Sequence, residues 1–466
     1  MIIMKFGGTS IASASRLQAV AKLIVAQQSS RRVVVVVSAL SGVTDHLVAA
    51  ATAAAHKKQK QLASELKILY ELHMDTASKL KLPKAAQDNL RQIIDDRFLD
   101  LEQLLHSVYT LGELTPRALD AILSFGERLS VHLVAQSVRS QGQLAEALEA
   151  SDFIVTTDQF GKAQPLLDKS ARLTKKVLLP LVNKNIVPII TGYIGATGEG
   201  VITTLGRGGS DYSATILGYC LGAKEVWIWT DVNGVMTADP RLVSEAHTIS
   251  ALSYNEAAEL SYFGAKVLHP LTMLPVALKK IPILIKNTFN PQLEGTKISA
   301  ATAKNGYSGH AISTLGGLSL ITVQGKGMMG VPGVAAKVFG AIAAQEVNVM
   351  FISQASSEYN ISFVVEHPEG PKAVRILQEA FQLELTTKTI ETIKMEEKLA
   401  IVAIVGEGMR GQPGIAGKTF SALGAAGVNI RAIAQGSSER NISFVVTSSD
   451  VPRAVRSIHK AFHLAN

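Results

Sequence analysis

Residues 1–10 read MIIMKFGGTS: a short apolar run, one lysine, two glycines, then two hydroxyls. The order of those residues is what matters. In a Walker A loop, G-x-x-x-x-G-K-[ST], the lysine follows the glycines. Here Lys5 precedes Gly7 and Gly8. The stretch is therefore either a phosphate loop of another kind or a strand ending in an ordinary turn. In the first case the glycines let the backbone approach an anion. The N–H groups of a following helix would face that anion, and Lys5 would bring its ammonium to the same point. Thr9 and Ser10 would add hydroxyl donors. Alone, the stretch leaves both readings open.

Its surroundings read as an α/β sheet. MIIMKF and RRVVVVVSAL are continuous apolar, β-branched runs ending in glycine or serine turns, the pattern of buried parallel strands. Between them Leu17, Val20, Leu23 and Ile24 recur at helical spacing. The unit is β-α-β, the seed of a parallel sheet. Residues 44–150 read as mostly helical, and IVPIITGYIG (186–195), EVWIWTDVNGV (225–235) and IPILIKNTF (281–289) as further strands. IPILIKNTF is expected to be the last strand of this unit. The turn-rich stretch after it places a domain boundary near 295–308. Trp227 and Trp229 alternate along their strand, and one of them is expected in the core.

The totals bound the function. At 466 residues the chain has room for two or three domains. With 18% charged residues and 47% hydrophobic ones it is an ordinary globular composition. The net charge of +8 comes with short basic runs only, such as HKKQK at 56–60, which reads as the solvated face of a helix. That argues against nucleic acid as partner. Cys220 is the only cysteine, which excludes an intrachain disulfide and multi-cysteine zinc sites and fits a reducing compartment. No signal peptide or membrane-spanning run is seen, so a cytoplasmic location is expected.

Beyond the boundary the chain repeats itself at an offset of 81 residues. Residues 325–366 and 406–447 agree at 24 of 42 aligned positions. Each copy reads strand, glycine turn, helix, strand, polar turn, strand, helix (370–380 and 451–462). A fourth strand would complete a ferredoxin-like βαββαβ unit. The first copy has sequence for it at about 385–395; the second ends without one. The spare strand HAISTLG (310–316) could fill that edge, so the two units are expected to interleave. The expected domains are 1–300, 317–395 and 396–466, the last completed by 309–316.

Other stretches strengthen the phosphate-loop reading. TTLGRGGSDYSA (203–214) is a second glycine-rich turn leading into a helix, with Arg207 and Asp211 at the turn. WTDVNGV sets Thr230 and Asp231 beyond a strand end, where α/β ligands bind. SFGERLS (124–130) offers Glu127, whose plain reading is a surface ion pair with Arg128. KFGGTS, SFGERLS, TLGRGGSDYSA, WTDVNGV, ADPR and SYFGAKVLHP occur in this order. Together they resemble the aspartate kinase family, of the amino acid kinase fold. The repeats look like that family's pair of ACT domains. The resemblance covers nearly the whole chain and includes no homoserine dehydrogenase part.

The resemblance implies phosphorylation of L-aspartate by MgATP to 4-phospho-L-aspartate. It implies a catalytic role for Lys5 and Asp211, and phosphate binding by Lys5, Gly7, Gly8, Thr9 and Ser10. It gives Arg207 to the aspartate α-carboxylate, Glu127 and Asp211 to its ammonium end, and Ser38, Thr44 and Ser210 to further hydrogen bonds. Thr230, Asp231, Arg241 and Lys266 match the ATP-side positions. Met236 stands where many members have a tyrosine against the nucleotide, which bears on ATP affinity. No protein ligand to Mg2+ is identified. His269 reads as a structural histidine, and Met328 and Met329 as loop and core.

The repeats hold no reactive constellation. Gln354, Asn360, Gln435 and Asn441 are neutral polar groups near strand ends, which either satisfy the turns or bind an amino acid. The resemblance implies an end-product amino acid between ACT units, in a homodimer or homotetramer. The carboxylate in SQASSEYNIS is Glu358, too little for a lysine pocket, so threonine is favoured over lysine. Two rivals stand: another small-molecule kinase of the same fold, and an amino acid sensor with an inactive kinase domain.

Overall fold

In a computed structural model, residues 1–264, 268–300 and 311–464 are described, and they form two units. Described residues within 1–235, 250–258 and 267–302 make up the first; those within 236–249, 259–266 and 303–466 make up the second. The chain thus enters the second unit twice before it reaches the repeats.

The first unit is built on ten strands. They are β1 (Ile2–Phe6), β2 (Val33–Val37), β3 (Ala145–Leu148), β4 (Val187–Thr191), β5 (Ile194–Ala196), β6 (Ile202–Thr204), β7 (Glu225–Thr230), β8 (Ala251–Ser253), β9 (Ile283–Asn287) and β10 (Thr296–Ser299). Eight form one sheet in the order β3-β4-β2-β1-β7-β9-β10-β8, parallel except between β9 and β10. β5 and β6 form a separate hairpin. All five valines of β2 are buried, as expected for a strand covered on both faces. Each such side chain contributes about 1.5–3 kcal/mol of burial.

β1 lies at the centre, between β2 and β7. Strand alternation gives its side chains two destinations. Ile2, Met4 and Phe6 join a core with α1 (Ala14–Gln28), α2 (Val43–Ala55), α3 (Gln59–Ser78), α4 (Lys84–Leu111), α5 (Pro116–Leu123) and α6 (Phe125–Arg139). Lys5 points to the other face, towards α8 (Gly209–Leu221), which packs on α7 (Leu167–Asn183). Trp227 and Trp229 share the face of Phe6, and both are buried, not one as expected; Trp229 stacks on Phe6 at 5.9 Å. Period two necessarily puts both on one side.

Two more expectations need correction. HKKQK is not one helix face but a break between two helices: α2 stops at Ala55, Lys57 takes φ +56, and α3 starts at Gln59. IPILIKNTF is not the last strand, because β10 follows inside the turn-rich stretch. Only Thr296 and Ile298 of its four residues are buried, too short a pattern to register in sequence.

The chain continues with α9 (Tyr254–Tyr262) and α10 (Leu274–Leu278). The repeats contain β11 (Ala311–Gln324), α11 (Val334–Ala344), β12 (Phe351–Gln354), β13 (Asn360–Glu366), α12 (Gly370–Ala380), α13 (Gln382–Thr386), β14 (Thr392–Val405), α14 (Ile415–Ala425), β15 (Ala432–Ala434), β16 (Asn441–Thr447) and α15 (Val451–Ala461). The sheet order is β12-β13-β11-β14-β16-β15. β11 and β14 run antiparallel along their whole length, with irregular register around Leu315–Leu320. The far half of β11 pairs with β13, and its near half, Ala311–Leu315, with Val405–Ile401 of β14. Each copy therefore completes its sheet with half a strand that precedes or follows the other. The fold is α/β: an open, mostly parallel sheet with helices on both faces, and two ferredoxin-like units.

Met236–Ile249 belongs with the second copy because its apolar residues are spent there. Ala238 and Val243 lie in one core with Leu423, Phe444 and Ile458.

Candidate active site

β1 ends at Phe6, and the two glycines turn the chain beside the end of β7, where Gly7 donates to the Trp229 carbonyl at 3.3 Å. A Cβ on Gly8 would come within 2.7 Å of the Ala39 carbonyl oxygen, so only glycine fits. A short 3-10 turn, Gly8–Ile11, leads from there into α1, which is capped by Ser13. The hydroxyls after the glycines are not equivalent. Ser10 is fully buried and its hydroxyl pairs with Thr288 at 2.7 Å. Its side chain joins elements of the fold, at variance with the expected role as a phosphate donor. Thr9 holds Arg16 through its carbonyl, at 2.6 Å.

Lys5 meets Asp211 in the first turn of α8, with Nζ to Oδ1 at 2.5 Å. Asp211 is thus the partner of the lysine, whereas the resemblance also gave it the substrate ammonium. The loop ahead of α8 is shaped by close approach. Gly208 has φ +71, and a Cβ there would meet the Cβ of His269 at 2.7 Å. His269 therefore supports the loop, and its imidazole pKa is lowered by burial and then by the Arg207 charge. Arg207 itself is exposed.

Glu127 is the third charge here. It lies in the first turn of α6 and is 4% exposed. The simple reading as a surface pair with Arg128 fails, because Arg128 turns to Glu149 at 3.0 Å. The Ala39 backbone, Lys5 and Ser210 surround the Glu127 carboxyl. Its Oε2 is enclosed without a hydrogen-bond partner among the described residues. Burial pushes its pKa up to about 8, against the pull of the Ala39 and Glu127 backbone N–H groups, Lys5 and Ser210. A buried carboxyl with an unused acceptor, beside a lysine already claimed by Asp211, is suited to an incoming cationic group.

Ser38 closes the end of β2, where its carbonyl accepts from Ser130 at 2.7 Å. Ser210 is pressed against the end of β4: a Cβ on Gly192 would meet the Ser210 Cβ at 2.6 Å. Thr44 is half-buried in the first turn of α2. Thr230 ends β7, and its hydroxyl donates to Asp231 Oδ1 at 3.2 Å. The ends of β1, β2, β4 and β7 thus gather Lys5, the glycine turn, Ser38, Glu127, Ser210 and Asp211. Parallel sheets of this kind bind ligands at such strand ends.

The other expected ATP-side positions are Met236, Arg241 and Lys266. Met236 and Arg241 belong to the second unit, and the exposed Arg241 guanidinium is held by Asp239 at 2.6 Å. Lys266 lies outside the described residues. Among the described residues no group of three or more His, Cys, Asp or Glu could hold a metal ion. No helix among them is long and apolar enough to cross a membrane.

Sequence reading missed Tyr193. It follows Gly192 at the end of β4 with φ +68, a left-handed conformation rare for a bulky residue. Such strain concentrates at functional sites. Its ring lies where a side chain on Gly209 would stand, at 2.6 Å. Asp120 was missed as well; α5 carries it, buried, to the end of β6. Neither sits in a motif.

In the repeats, Gln354 ends β12 and Gln435 follows β15, both exposed. Asn360 and Asn441 begin β13 and β16, both half-buried. The Asn441 amide donates to Glu259 Oε2 at 2.5 Å. Glu358 and Glu439 take the N–H groups of Gly330 and Gly411, at 2.8 and 2.7 Å, as turn braces. Met328 is core and Met329 is exposed.

Residues 1–287 match the Amino acid kinase family, and residues 321–381 and 402–462 each match the ACT domain. The chain is 36% identical to a bifunctional aspartokinase/homoserine dehydrogenase of Haemophilus influenzae, over 99% of this chain and 56% of that one. It is 34% identical to the chloroplastic aspartokinase 3 of Arabidopsis thaliana, over 99% of this chain and 81% of that one. The chain spans about half the length of the bifunctional relatives. The fold matches E. coli aspartokinase III in complex with aspartate and ADP, with TM-score 0.83, 30% identity, and coverage of 99% and 100%. It also matches an aspartate kinase of Clostridium acetobutylicum, with TM-score 0.80, 28% identity, and coverage of 99% and 100%.

Proposed function

The chain belongs to the amino acid kinase family, among the aspartokinases, and on that premise we propose that it phosphorylates the β-carboxylate of L-aspartate with ATP. The observation that carries the reading is the Lys5–Asp211 pair at 2.5 Å beside the Gly7–Gly8 turn, with Glu127 buried next to it. A carboxylate oxygen of aspartate attacks the γ-phosphorus. The bond from that phosphorus to the β,γ-bridging oxygen breaks, and ADP leaves. The attacking group is already ionised at neutral pH, so no general base is needed. The protein's task is positioning and charge neutralisation.

Lys5 supplies a point charge to the transferring phosphoryl group. Asp211 fixes where that charge stands. The Gly7–Gly8 backbone lets the phosphate come close, and Thr9 adds a hydroxyl. Arg207, exposed and with no partner among the described residues, forks onto the aspartate α-carboxylate. Glu127 receives the ammonium on its unused oxygen, which draws off its proton. Ser38, Thr44 and Ser210 complete the polar lining. Thr230 and Asp231, with Met236, Arg241 and Lys266, are assigned to the nucleotide. With no cluster of three or more His, Cys, Asp or Glu among the described residues, Mg2+ would be held chiefly through the phosphates. When bound it offsets phosphate charge.

The ACT repeats make the enzyme subject to feedback by an end-product amino acid, with threonine favoured and lysine the alternative. E. coli aspartokinase III has been crystallised with lysine and aspartate. The bracing of Gly330 by Glu358 uses the one carboxylate that a lysine ammonium would want in that loop. Inhibition is then a shift between two states that bind the effector unequally. The site of action is cytoplasmic, and the assembly a dimer or tetramer through the ACT units.

The test is ATP-dependent acyl phosphate formation, trapped with hydroxylamine. Lys5→Ala should lower turnover by at least about a hundredfold while the protein stays folded. Retention of most activity would remove the phosphate-loop reading. Product with another acid but not with aspartate would move the chain to a sister kinase. Ligand binding without product from any acid would favour a sensor.

A further inference from the structure

Asp120 is a buried carboxylate that the proposed chemistry does not use. It is 1% exposed, on α5, and it spends both oxygens on the strand that leads into the Arg207 loop. Oδ1 accepts from the Thr204 hydroxyl at 2.7 Å. Oδ2 accepts from the Thr204 backbone N–H at 2.8 Å and from the Gly161 N–H at 2.9 Å. One side chain thus joins three separate pieces of chain: α5, the last residue of β6, and the loop at 157–163.

What is joined matters because of what comes next. Thr204 is followed by Leu205, Gly206, Arg207 and Gly208, and then by α8 with Ser210 and Asp211. The loop at 157–163 lies against this turn. Ala163 donates to the Thr204 carbonyl at 2.9 Å, and a Cβ on Gly206 would stand 3.0 Å from the Gly161 carbonyl oxygen. Leu205 donates to the carbonyl of the strained Tyr193 at 2.9 Å, and the Tyr193 hydroxyl reaches the Thr204 side chain. Arg207 has no partner of its own among the described residues, so its position depends on the backbone that carries it.

We infer that Asp120 is the positioning residue of the Arg207 loop: it fixes β6 and the 157–163 loop so that the guanidinium meets the substrate's α-carboxylate. Burial also raises its carboxyl pKa, while the Gly161 and Thr204 donors act in the opposite direction. The carboxyl is held in this place by its three donors.

The inference rests on the reading of Arg207 as a substrate contact, and the experiment separates the two. Asp120→Asn keeps the shape but turns an amide N–H2 towards two backbone N–H donors, or else towards the hydroxyl. The expected result is an aspartate KM raised by about tenfold, with kcat and the ATP KM within about twofold. Thr204→Val removes one donor from the same network and should move the aspartate KM the same way, by less. It serves if Asp120→Asn does not fold. Arg207→Ala is measured in parallel. If Arg207→Ala raises the aspartate KM and neither network variant does, Asp120 is only a staple and the inference falls. A drop in melting temperature with unchanged kinetics has the same meaning. Equal rises in both KM values would also overturn it. An Arg207→Ala enzyme with an unchanged aspartate KM would overturn the substrate reading itself.

Discussion

Gln378 and His459 occupy equivalent places in the second helices of the two repeats, at the 81-residue offset. Gln378 is exposed; His459 is 3% exposed, with Nε2 at 3.1 Å from the Thr237 hydroxyl. The same contrast holds for Asn360 and Asn441. The second asparagine is held by Glu259, while among the described residues no such carboxylate holds the first. The first copy closes a core from its own residues, Ile321 to Met395. The second closes its core with Ala238 and Val243, from a segment that the chain emits between β7 and β8. Repeated sequences thus give one unit that closes its core from its own residues and one that is completed from outside. The first copy is the open one at this strand start, where Asn360 has no carboxylate partner among the described residues; the second ties Asn441 to Glu259.

The largest expected effect compares two matched core residues, Ile342 and Leu423, at 1% and 0% exposure. Alanine at either should cost about 2–5 kcal/mol in chemical denaturation. The two variants should differ in reach. Leu423→Ala should also lower hydrogen-exchange protection across 237–249, because Val243 shares its core. Ile342→Ala should leave that segment protected. Equal loss of protection in both would mean that the repeats are one cooperative unit.

A smaller effect is expected at the effector. Gln354→Ala should raise the half-inhibiting concentration of threonine or lysine by about tenfold, the loss of one or two hydrogen bonds. Gln435→Ala should change it by less than about twofold. Both should leave uninhibited activity intact. A larger shift from Gln435→Ala would reverse the assignment of the open copy.

Much of this was legible in sequence for a physical reason. β1, β2 and the glycine turns announce themselves because burial on both faces and close backbone approach restrict residue choice at every position. The repeat was visible because 24 of 42 residues coincide. Lys5, Glu127 and Asp211 were named, but their pairing was not. Strand alternation fixes the face of Lys5, yet nothing local tells that Asp211 claims it or that Arg128 prefers Glu149. Asp120 was invisible because its partners, Gly161 and Thr204, lie 41 and 84 residues away and two of its three bonds go to backbone. β10 was too short. The recruitment of Met236–Ile249 into the second copy turns on Ala238 and Val243, two ordinary apolar residues whose neighbours are chosen by the whole fold.

His459→Gln gives the second copy the residue of the first and is the subtlest test of their difference. Burial lowers the His459 pKa, the nearby His247 lowers it further, and Glu245 works the other way. A histidine depressed in the fold stays neutral there while the unfolded chain takes up a proton near pH 6.5. Stability should therefore fall as pH drops below about 6.5 and level off below the folded-state value. His73 and His132, both lowered to about 4, and His269, also lowered, add to that slope, while Glu127, raised to about 8, works against it, so the variant should remove only part of it. At pH 7.5 the charge term vanishes, and loss of the Thr237 contact leaves about 1 kcal/mol. The reading is hydrogen exchange at 237–249 in the two proteins at pH 7.5 and 5.5. If His459 clamps the segment, wild-type protection drops on acidification and the variant, already weaker at pH 7.5, drops less. Parallel curves would mean that apolar packing by Ala238 and Val243 alone holds the segment, and that the histidine is a passenger.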